Sequence, residues 1–322
     1  MKNVGIICGG FSSEFDVSVK SATNIFNNFP TGYRPFLILL KKEGWFIQNQ
    51  NRELGEVNSR DFTFKSGQES IKIDFAIVYI HGDPGENGKI QSYLEMIDIP
   101  YVNSGPLASQ LSFDKWYCNQ FLKGFGHEVA DSIYITELSI ELDSDQIVEQ
   151  LGLPIFVKPC DSGSSFGIEK VNKVEDLEPA VQNAFNEGST IVLESFLDGI
   201  EVTCAVYRDK DGVHTLPLTE IVSENEFFDY EAKYKGLSQE ITPARISDEL
   251  RAKVQYISSS IYNLMQLRSV ARVDFIIVNG VPNIIEVNSI PGFSNESIVP
   301  KMLEAADISI KEFWASILAG EF

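Results

Sequence analysis

The sequence predicts an α/β protein that opens with a parallel-sheet lobe and continues into two lobes of mixed helix and strand. Three observations carry that expectation. Short apolar runs at residues 3–8, 35–40 and 75–80 alternate with helix-like segments, the pattern of parallel strands covered on both faces. Turn chemistry around residues 103–106 ends that pattern. Beyond it, two apolar strands carry charged residues spaced two apart, which are costly to bury without partners.

Taken in order, residues 3–8 read as a buried strand stopped by Gly9-Gly10, and residues 17–29 as a helix. Residues 35–40 and 75–80 are the next strands, and residues 90–97 are amphipathic and helical. The second lobe has strands near residues 133–135 and 153–157, an acidic stretch at 141–145 and a helix across 174–186. Residues 191–193 and 202–207 are expected to open the third lobe as strands. Its clearest helix covers residues 248–267, where Leu250, Val254, Ile257, Ile261 and Leu264 line one face behind a Ser247 N-cap. The chain has no internal repeat and no low-complexity tract.

Charge narrows the partners. The 322 residues include 26 basic and 46 acidic side chains, a net charge of −20 that repels nucleic-acid phosphates and anionic membrane. Neither nucleic acid nor a membrane is therefore expected as a partner. The longest apolar runs, residues 35–40 and 75–80, fall far short of the ~20 residues of a membrane helix. After Lys2 only residues 4–8 are apolar before Gly9, Gly10 and Glu14, so no signal peptide is expected. Cys8, Cys118, Cys160 and Cys204 lie 42 or more residues apart, without metal spacing, and read as reduced thiols of a cytoplasmic protein.

Two phosphate motifs are absent. Residues 8–13 lack G-x-G-x-x-G, and Gly88-Lys89 is followed by Ile90, which excludes a Walker A sequence. The glycine-rich candidate is FVKPCDSGSSFGIEKV (156–171), where a strand delivers Lys158 and a small loop follows. That loop is either a cradle of backbone N–H groups for phosphate or a hairpin with a polar tip. In VARVDFIIVNGVPNIIEVNSIPG (270–292), Arg272 and Asp274 share one strand face, as do Glu286 and Asn288 on the next strand. Their hard oxygens suit Mg²⁺; the alternative is a solvated face with a salt bridge to Arg272.

With these residues in place, the chain resembles the D-alanine–D-alanine ligases of the ATP-grasp superfamily, from Val4 to about Phe313. GGFSSEFDVS (9–18) is similar to the family's first glycine turn, with Glu14 as its substrate-binding glutamate. IHGDPGENGKIQ (80–91) resembles the histidine-glycine loop and places His81, and FDKW (113–116) places Lys115. The phosphate loop supplies Lys158, Ser164 and Ser165. VLESFLDGIEV (192–202) resembles the adenine and ribose segment, with Glu194, Leu197 and Glu201, and DYEAKY (229–234) supplies Lys233 and Tyr234 on a mobile loop. Arg272, Asp274, Glu286, Asn288, Gly292 and Ser297 match the catalytic and metal positions near the end.

The resemblance implies an α/β fold, α+β in its ATP-grasp part, in which an N-terminal parallel-sheet lobe precedes a two-lobed ATP-grasp fold. The implied domains are a substrate domain at 1–104, a central lobe at 105–192 and a catalytic lobe at 193–322. It implies ATP-driven joining of two D-alanines through an acyl phosphate, one or two Mg²⁺ or Mn²⁺ ions, and a homodimer. The implied catalytic set is Glu14, Ser164, Tyr234, Arg272 and Gly292; Glu14, His81, Arg272 and Ser297 would bind substrate. Lys115, Lys158, Ser164, Ser165, Glu194, Leu197, Glu201 and Lys233 would bind ATP, and Asp274, Glu286 and Asn288 the metal. In the family pattern Tyr234 goes with dipeptide formation. Departures at Asp83-Pro84, Ser92, Gln110, Ser112 and SNES (294–297) leave the acceptor open among D-alanine, D-lactate, D-serine and other amino acids. A module that binds ATP without forming a bond is the reading from another class.

One geometric expectation follows from strand parity. A hairpin with only Asn279-Gly280 in its loop, paired without a break, sets Asp274 opposite Ile285 and sends Glu286 through the other face. A shared metal requires Asp274 opposite Glu286. That favours a longer or bulged turn, with one extra residue.

Overall fold

The computed structural model describes residues 1–49, 52–136, 142–163, 167–223 and 238–321. Its first sheet contains β1 (Lys2–Gly9), β2 (Tyr33–Lys41), β3 (Gly44–Asn49), β4 (Arg52–Asn58), β5 (Thr63–Ser66), β6 (Glu69–Lys72), β7 (Phe75–Val78) and β8 (Tyr101–Val102). The spatial order is β6-β5-β4-β3-β2-β1-β7-β8. β2, β1, β7 and β8 are parallel, as their apolar runs predict, and Ile6, Ile7, Ile38 and Ile77 are buried. The antiparallel extension β3–β6 was not foreseen; its strands alternate polar and apolar residues too briefly to stand out.

Helices α1 (Phe15–Asn27) and α2 (Lys89–Met96) follow β1 and β7. Ser18 fastens α1 to the strand ends: its Oγ accepts from Gly9 N at 2.8 Å and donates to Tyr79 O at 2.7 Å. Gly9 turns with φ 91°, and a Cβ there would lie 2.6 Å from Leu40 O, so no side chain fits. This turn sets Glu14 at the start of α1, beyond the carboxyl end of β1, where ligands of open α/β sheets bind.

After α3 (Pro106–Phe113) and α4 (Lys115–Gly124) comes an antiparallel sheet of β9 (Ser132–Ile135), β10 (Ile155–Pro159), β11 (Glu169–Val171) and β12 (Ile191–Ser195). Its order is β11-β10-β12-β9. α5 (Ser144–Leu151) and α6 (Leu177–Ala184) close a small core of Ile147, Ile155, Leu177 and Leu193. Two expectations change here. Residues 191–193 belong to β12, hydrogen-bonded to β10 and β9, rather than to the third sheet. The helix expected across 174–186 is a 3₁₀ turn, Val174–Asp176, followed by α6.

The third sheet holds β13 (Ile200–Asp209), β14 (Gly212–Thr215), β15 (Thr219–Ser223), β16 (Ser238–Ile241), β17 (Val270–Val278) and β18 (Val281–Asn288). The order is β16-β15-β13-β17-β18, with β14 on β13. α7 (Asp248–Leu264) is capped as expected, Ser247 Oγ accepting from Leu250 N at 3.3 Å. α8 (Ile298–Ala305) and α9 (Ile310–Glu321) finish the chain, and Phe313, Trp314 and Ile317 of α9 enter the same core as Tyr79 of the first sheet. Among the described residues no helix is long and apolar enough to cross a membrane.

The β17–β18 hairpin answers the parity question. Its turn is the plain Asn279-Gly280, with φ of 50° and 78°, the two left-handed conformations of a type I′ turn. Of the two expected alternatives, the longer turn is absent and a bulge that adds one residue is present. Pairing runs from Val278↔Val281 to Phe275↔Ile284, then shifts, so that Asp274 faces Glu286 and Arg272 faces Asn288. The extra residue is Ile285, a bulge inside the strand. Beside it Ile284 N donates to Glu128 O at 2.9 Å, a tie to another segment that fixes where the ladder breaks.

Candidate active site

Two adjoining cavities, about 850 Å³ and 120 Å³, share Lys115, Arg272 and Glu286 in their walls. The larger lies beyond the carboxyl ends of the parallel strands and receives Glu14, His81, Asn288, Gly292 and Ser297. The smaller receives Lys158, Glu194, Leu197, Glu201 and Asp274 from the two antiparallel sheets. Of the residues expected from sequence, Ser164, Ser165, Lys233 and Tyr234 lie outside the described residues.

In the larger cavity the loop after β10 presses on Glu14. A Cβ on Gly163 would sit 2.3 Å from Glu14 Oε2, so any side chain there would make the Glu14 carboxylate shift. His81 is buried, with Nε2 3.1 Å from Ser21 Oγ. Burial pulls its pKa below the usual 6.5 against the opposing influence of Glu14, which favours the neutral imidazole. Ser297 precedes α8, but its hydroxyl turns back to Ser294, accepting from Ser294 N at 3.0 Å, and makes no cap bond. Its Oγ lies 3.0 Å from where a Cβ on Gly292 would be, so Gly292 keeps that hydroxyl in place. The uncapped start of α8 faces the cavity, a setting that suits a carboxylate.

Between the cavities the bulged hairpin gathers charge. Arg272 donates to Asp274 through Nε at 2.8 Å and Nη2 at 2.7 Å, and lies 3.8 Å from Glu286. Burial works against the guanidinium's charge, but Asp274, Glu286 and Glu240 outweigh it and hold its pKa above the ordinary value. Thr203 Oγ1 donates to Asp274, and Asn288 Nδ2 donates to Asp274 at 3.1 Å and Glu286 at 3.3 Å. Both sequence alternatives thus meet here: the salt bridge to Arg272 exists, and two carboxylates and an amide share one face. The donor set fits a hard divalent cation once the Asn288 amide turns its oxygen inward. Among the described residues no cluster of three or more His, Cys, Asp or Glu forms, so such an ion would rely on Asn288 and on ligand phosphates.

On the smaller side, Lys158 and Glu194 form a buried ion pair at 2.5 Å, and Asn119 Nδ2 donates to Glu194 at 3.0 Å. Lys115 opens α4, whose Asp114 cap accepts from Tyr117 N at 2.9 Å. Its Nζ reaches Ser162 O at 2.6 Å, beside the described part of the glycine loop. Cys160 is buried and its thiol pushed up to about 12 by that burial, consistent with an inert filler.

Sequence reasoning gave no role to Glu86 and Glu240, both in the wall of the larger cavity. Glu86 Oε2 accepts from Gly82 N at 2.7 Å, and burial, then Glu14, raises its pKa to about 8. As one loop glutamate among 46 acidic residues it carried no periodic signal; its half-buried place in the cavity wall comes from tertiary packing.

Known proteins resemble this chain over nearly its whole length. The family models for the D-ala D-ala ligase N-terminus and C-terminus match residues 3–104 and 121–319. A curated D-alanine–D-alanine ligase from Azobacteroides pseudotrichonymphae is 42% identical over 321 residues, 99% of each chain. The VanG D-Ala:D-Ser ligase from Enterococcus faecalis superposes with a TM-score of 0.87 at 28% identity, covering 100% of this chain and 99% of its own. The D-alanine–D-alanine ligase from Bacillus anthracis complexed with ATP gives a TM-score of 0.79 at 27% identity, covering 100% and 97%.

Proposed function

The chain belongs to the D-alanine–D-alanine ligase family, and from that premise we propose that it uses ATP to join two D-alanines, supplying D-alanyl-D-alanine for peptidoglycan precursors. The observation that carries this reading is the pair of adjoining cavities sharing Lys115, Arg272 and Glu286. Expected nucleotide residues line one, and expected amino-acid residues line the other.

Glu14 pairs with the ammonium group of the first D-alanine. The carboxylate of that D-alanine attacks the γ-phosphate, ADP departs, and an acyl phosphate of D-alanine remains. The second amine attacks that carbonyl, and phosphate leaves the tetrahedral intermediate. Positioning and charge stabilisation do most of the work. Lys115, Lys158 and Lys233 neutralise phosphates with Ser165, while Glu194, Leu197 and Glu201 hold adenine and ribose. Arg272 and the Gly292 N–H serve the oxyanion, a donor of that kind being worth roughly 3–4 kcal/mol. His81 binds substrate, and Ser297 holds the carboxylate of the second D-alanine. Ser164 and Tyr234, outside the described residues, complete the catalytic set in this reading, and exclusion of water protects the acyl phosphate. Asp274, Glu286 and Asn288 would hold Mg²⁺ or Mn²⁺, which supplies positive charge beside the phosphates when bound.

The same reading takes the chain as a cytoplasmic homodimer, each copy with a substrate lobe at 1–104, a central lobe that runs from 105 past the expected 192 to take in the whole of β12, and a catalytic lobe after it. The acceptor is its narrowest part, resting on Tyr234. Phosphate release measured against D-alanine, D-serine, D-lactate and other acceptors at neutral pH tests it. D-Alanine should be preferred; preference for D-lactate or D-serine would replace the acceptor and keep the fold.

A further inference from the structure

We infer that Tyr79 is a positioning residue for the oxyanion site: its hydroxyl anchors the Pro291 carbonyl and thereby aims the Gly292 N–H into the larger cavity. This inference rests on the ligase reading above and deepens it. A hydrogen-bond donor stabilises a tetrahedral intermediate only if it already points at the place where charge develops.

The geometry lies in one peptide unit. The Pro291 carbonyl and the Gly292 N–H share a plane, and the bond between them is trans, so they point to opposite sides. Tyr79 Oη donates to Pro291 O at 3.1 Å from within the core. The N–H therefore points away from the core. Gly292 lines the larger cavity, and among the described residues its N–H meets no acceptor. The next peptide is held as well: Phe293 N donates to Ser21 Oγ at 3.1 Å, and Asn24 Nδ2 donates to Phe293 O at 2.8 Å. Both planes that meet at Gly292 are thus fastened to the first lobe, while the Gly292 N–H stays open.

Tyr79 can hold its end because the fold immobilises it. Its N–H donates to Ile7 O at 2.8 Å and its carbonyl accepts from Ser18 Oγ at 2.7 Å, which ties its backbone to β1 and α1. Its ring meets Phe293, His81 and Trp314 edge to face, with centroids 5.9, 6.0 and 6.0 Å away. Burial, and then Glu86, push its pKa well above that of an ordinary tyrosine, so the hydroxyl keeps the proton it donates. Among the described residues that line the two cavities Tyr79 is absent, so it acts through the Gly292 peptide and not by touching substrate.

Single-turnover rates of dipeptide formation at saturating substrates, with KM values and thermal melts, test this on the wild type, Tyr79→Phe and Tyr262→Phe. Tyr79→Phe removes the hydroxyl and keeps the ring. Its rate should fall roughly tenfold to a hundredfold, the scale of a misaimed donor. Its KM values for ATP and D-alanine should stay within about twofold, because the donor is called on in the tetrahedral intermediate and not in the bound substrates. Tyr262→Phe is the matched control: that hydroxyl, equally buried, donates to Ser269 O at 2.8 Å and lies in neither described cavity wall. It should lower the melting temperature about as much as Tyr79→Phe and hold the rate within about twofold. A Tyr79→Phe rate within about twofold of the parent, equal losses in both variants, or a raised KM without a slower turnover would overturn the assignment. Should Tyr79→Phe fail to fold, Ser21→Ala carries the test through the neighbouring peptide. A fall of roughly tenfold in its rate with the ATP KM held supports the assignment, and an unchanged rate or an equal change in the ATP KM refutes it. A wild type that forms no dipeptide overturns the ligase reading itself; a wild type that does, with Tyr79→Phe matching it, overturns this assignment alone.

Discussion

Lys158 and Glu194 meet at 2.5 Å with side chains only 11% and 5% exposed, which makes the lysine more than a phosphate contact. Removing one member of a buried pair leaves the other charge uncompensated, at a cost of roughly 3–5 kcal/mol. Lys158→Ala should therefore both lower the melting temperature and weaken ATP binding strongly, whereas Cys160→Ala should change neither. Calorimetric ATP titration with thermal melts checks this, and equal small effects from the two would mean that the nucleotide lies elsewhere. The lysine was legible in sequence because it leads from an apolar strand into a small-residue loop. Its partner was not. Phe156 pairs with Glu194 across β10 and β12, so Lys158, two residues on, reaches that carboxylate diagonally, through a register set by folding. Glu86 was illegible for the same kind of reason, being acidic in a loop whose burial depends on distant chain.

At the scale of the hairpin, parity was readable and position was not. Period-two alternation demands one extra residue if Asp274 and Glu286 are to share a face, and the structure has it. Asn279-Gly280 nevertheless keeps its two-residue turn, because both residues accept positive φ, and the extra residue moves to Ile285. Deleting Ile285 should remove the bulge and leave an unbroken ladder in which Asp274 still faces Glu286, so the two carboxylates keep one face. Mn²⁺ binding in the presence of ADP, followed by electron paramagnetic resonance, should then hold, whereas Glu286→Ala should weaken it roughly tenfold or more. A folded Glu286→Ala variant, checked by circular dichroism, that binds Mn²⁺ as tightly as the parent would contradict the metal assignment. The bulge's location was hidden because Ile284 is tied to Glu128, far away in sequence.

For the whole molecule, the parallel strands, the capped helix α7 and the edge hairpin β17–β18 of the six-stranded sheet were visible as patterns, while the joining of parts was not. α9 packs Phe313 and Trp314 into the first sheet's core, and Arg268 donates to Tyr101 O at 3.0 Å and pairs with Glu321. These long-range contacts fasten the last helix to the first sheet beside the larger cavity, and no local period announces them. Nor does the overall fold choose an acceptor: it is shared, at a TM-score of 0.87, with a protein named a D-Ala:D-Ser ligase. What the account claims centrally is a bond sequence, carboxylate to phosphorus and then amine to carbon, carried out across two joined cavities. D-Alanine labelled with ¹⁸O in its carboxylate, incubated with ATP and Mg²⁺, tests that sequence most directly. The account predicts D-alanyl-D-alanine together with one ¹⁸O atom in each phosphate released; unlabelled phosphate, or ATP binding without dipeptide, would contradict it.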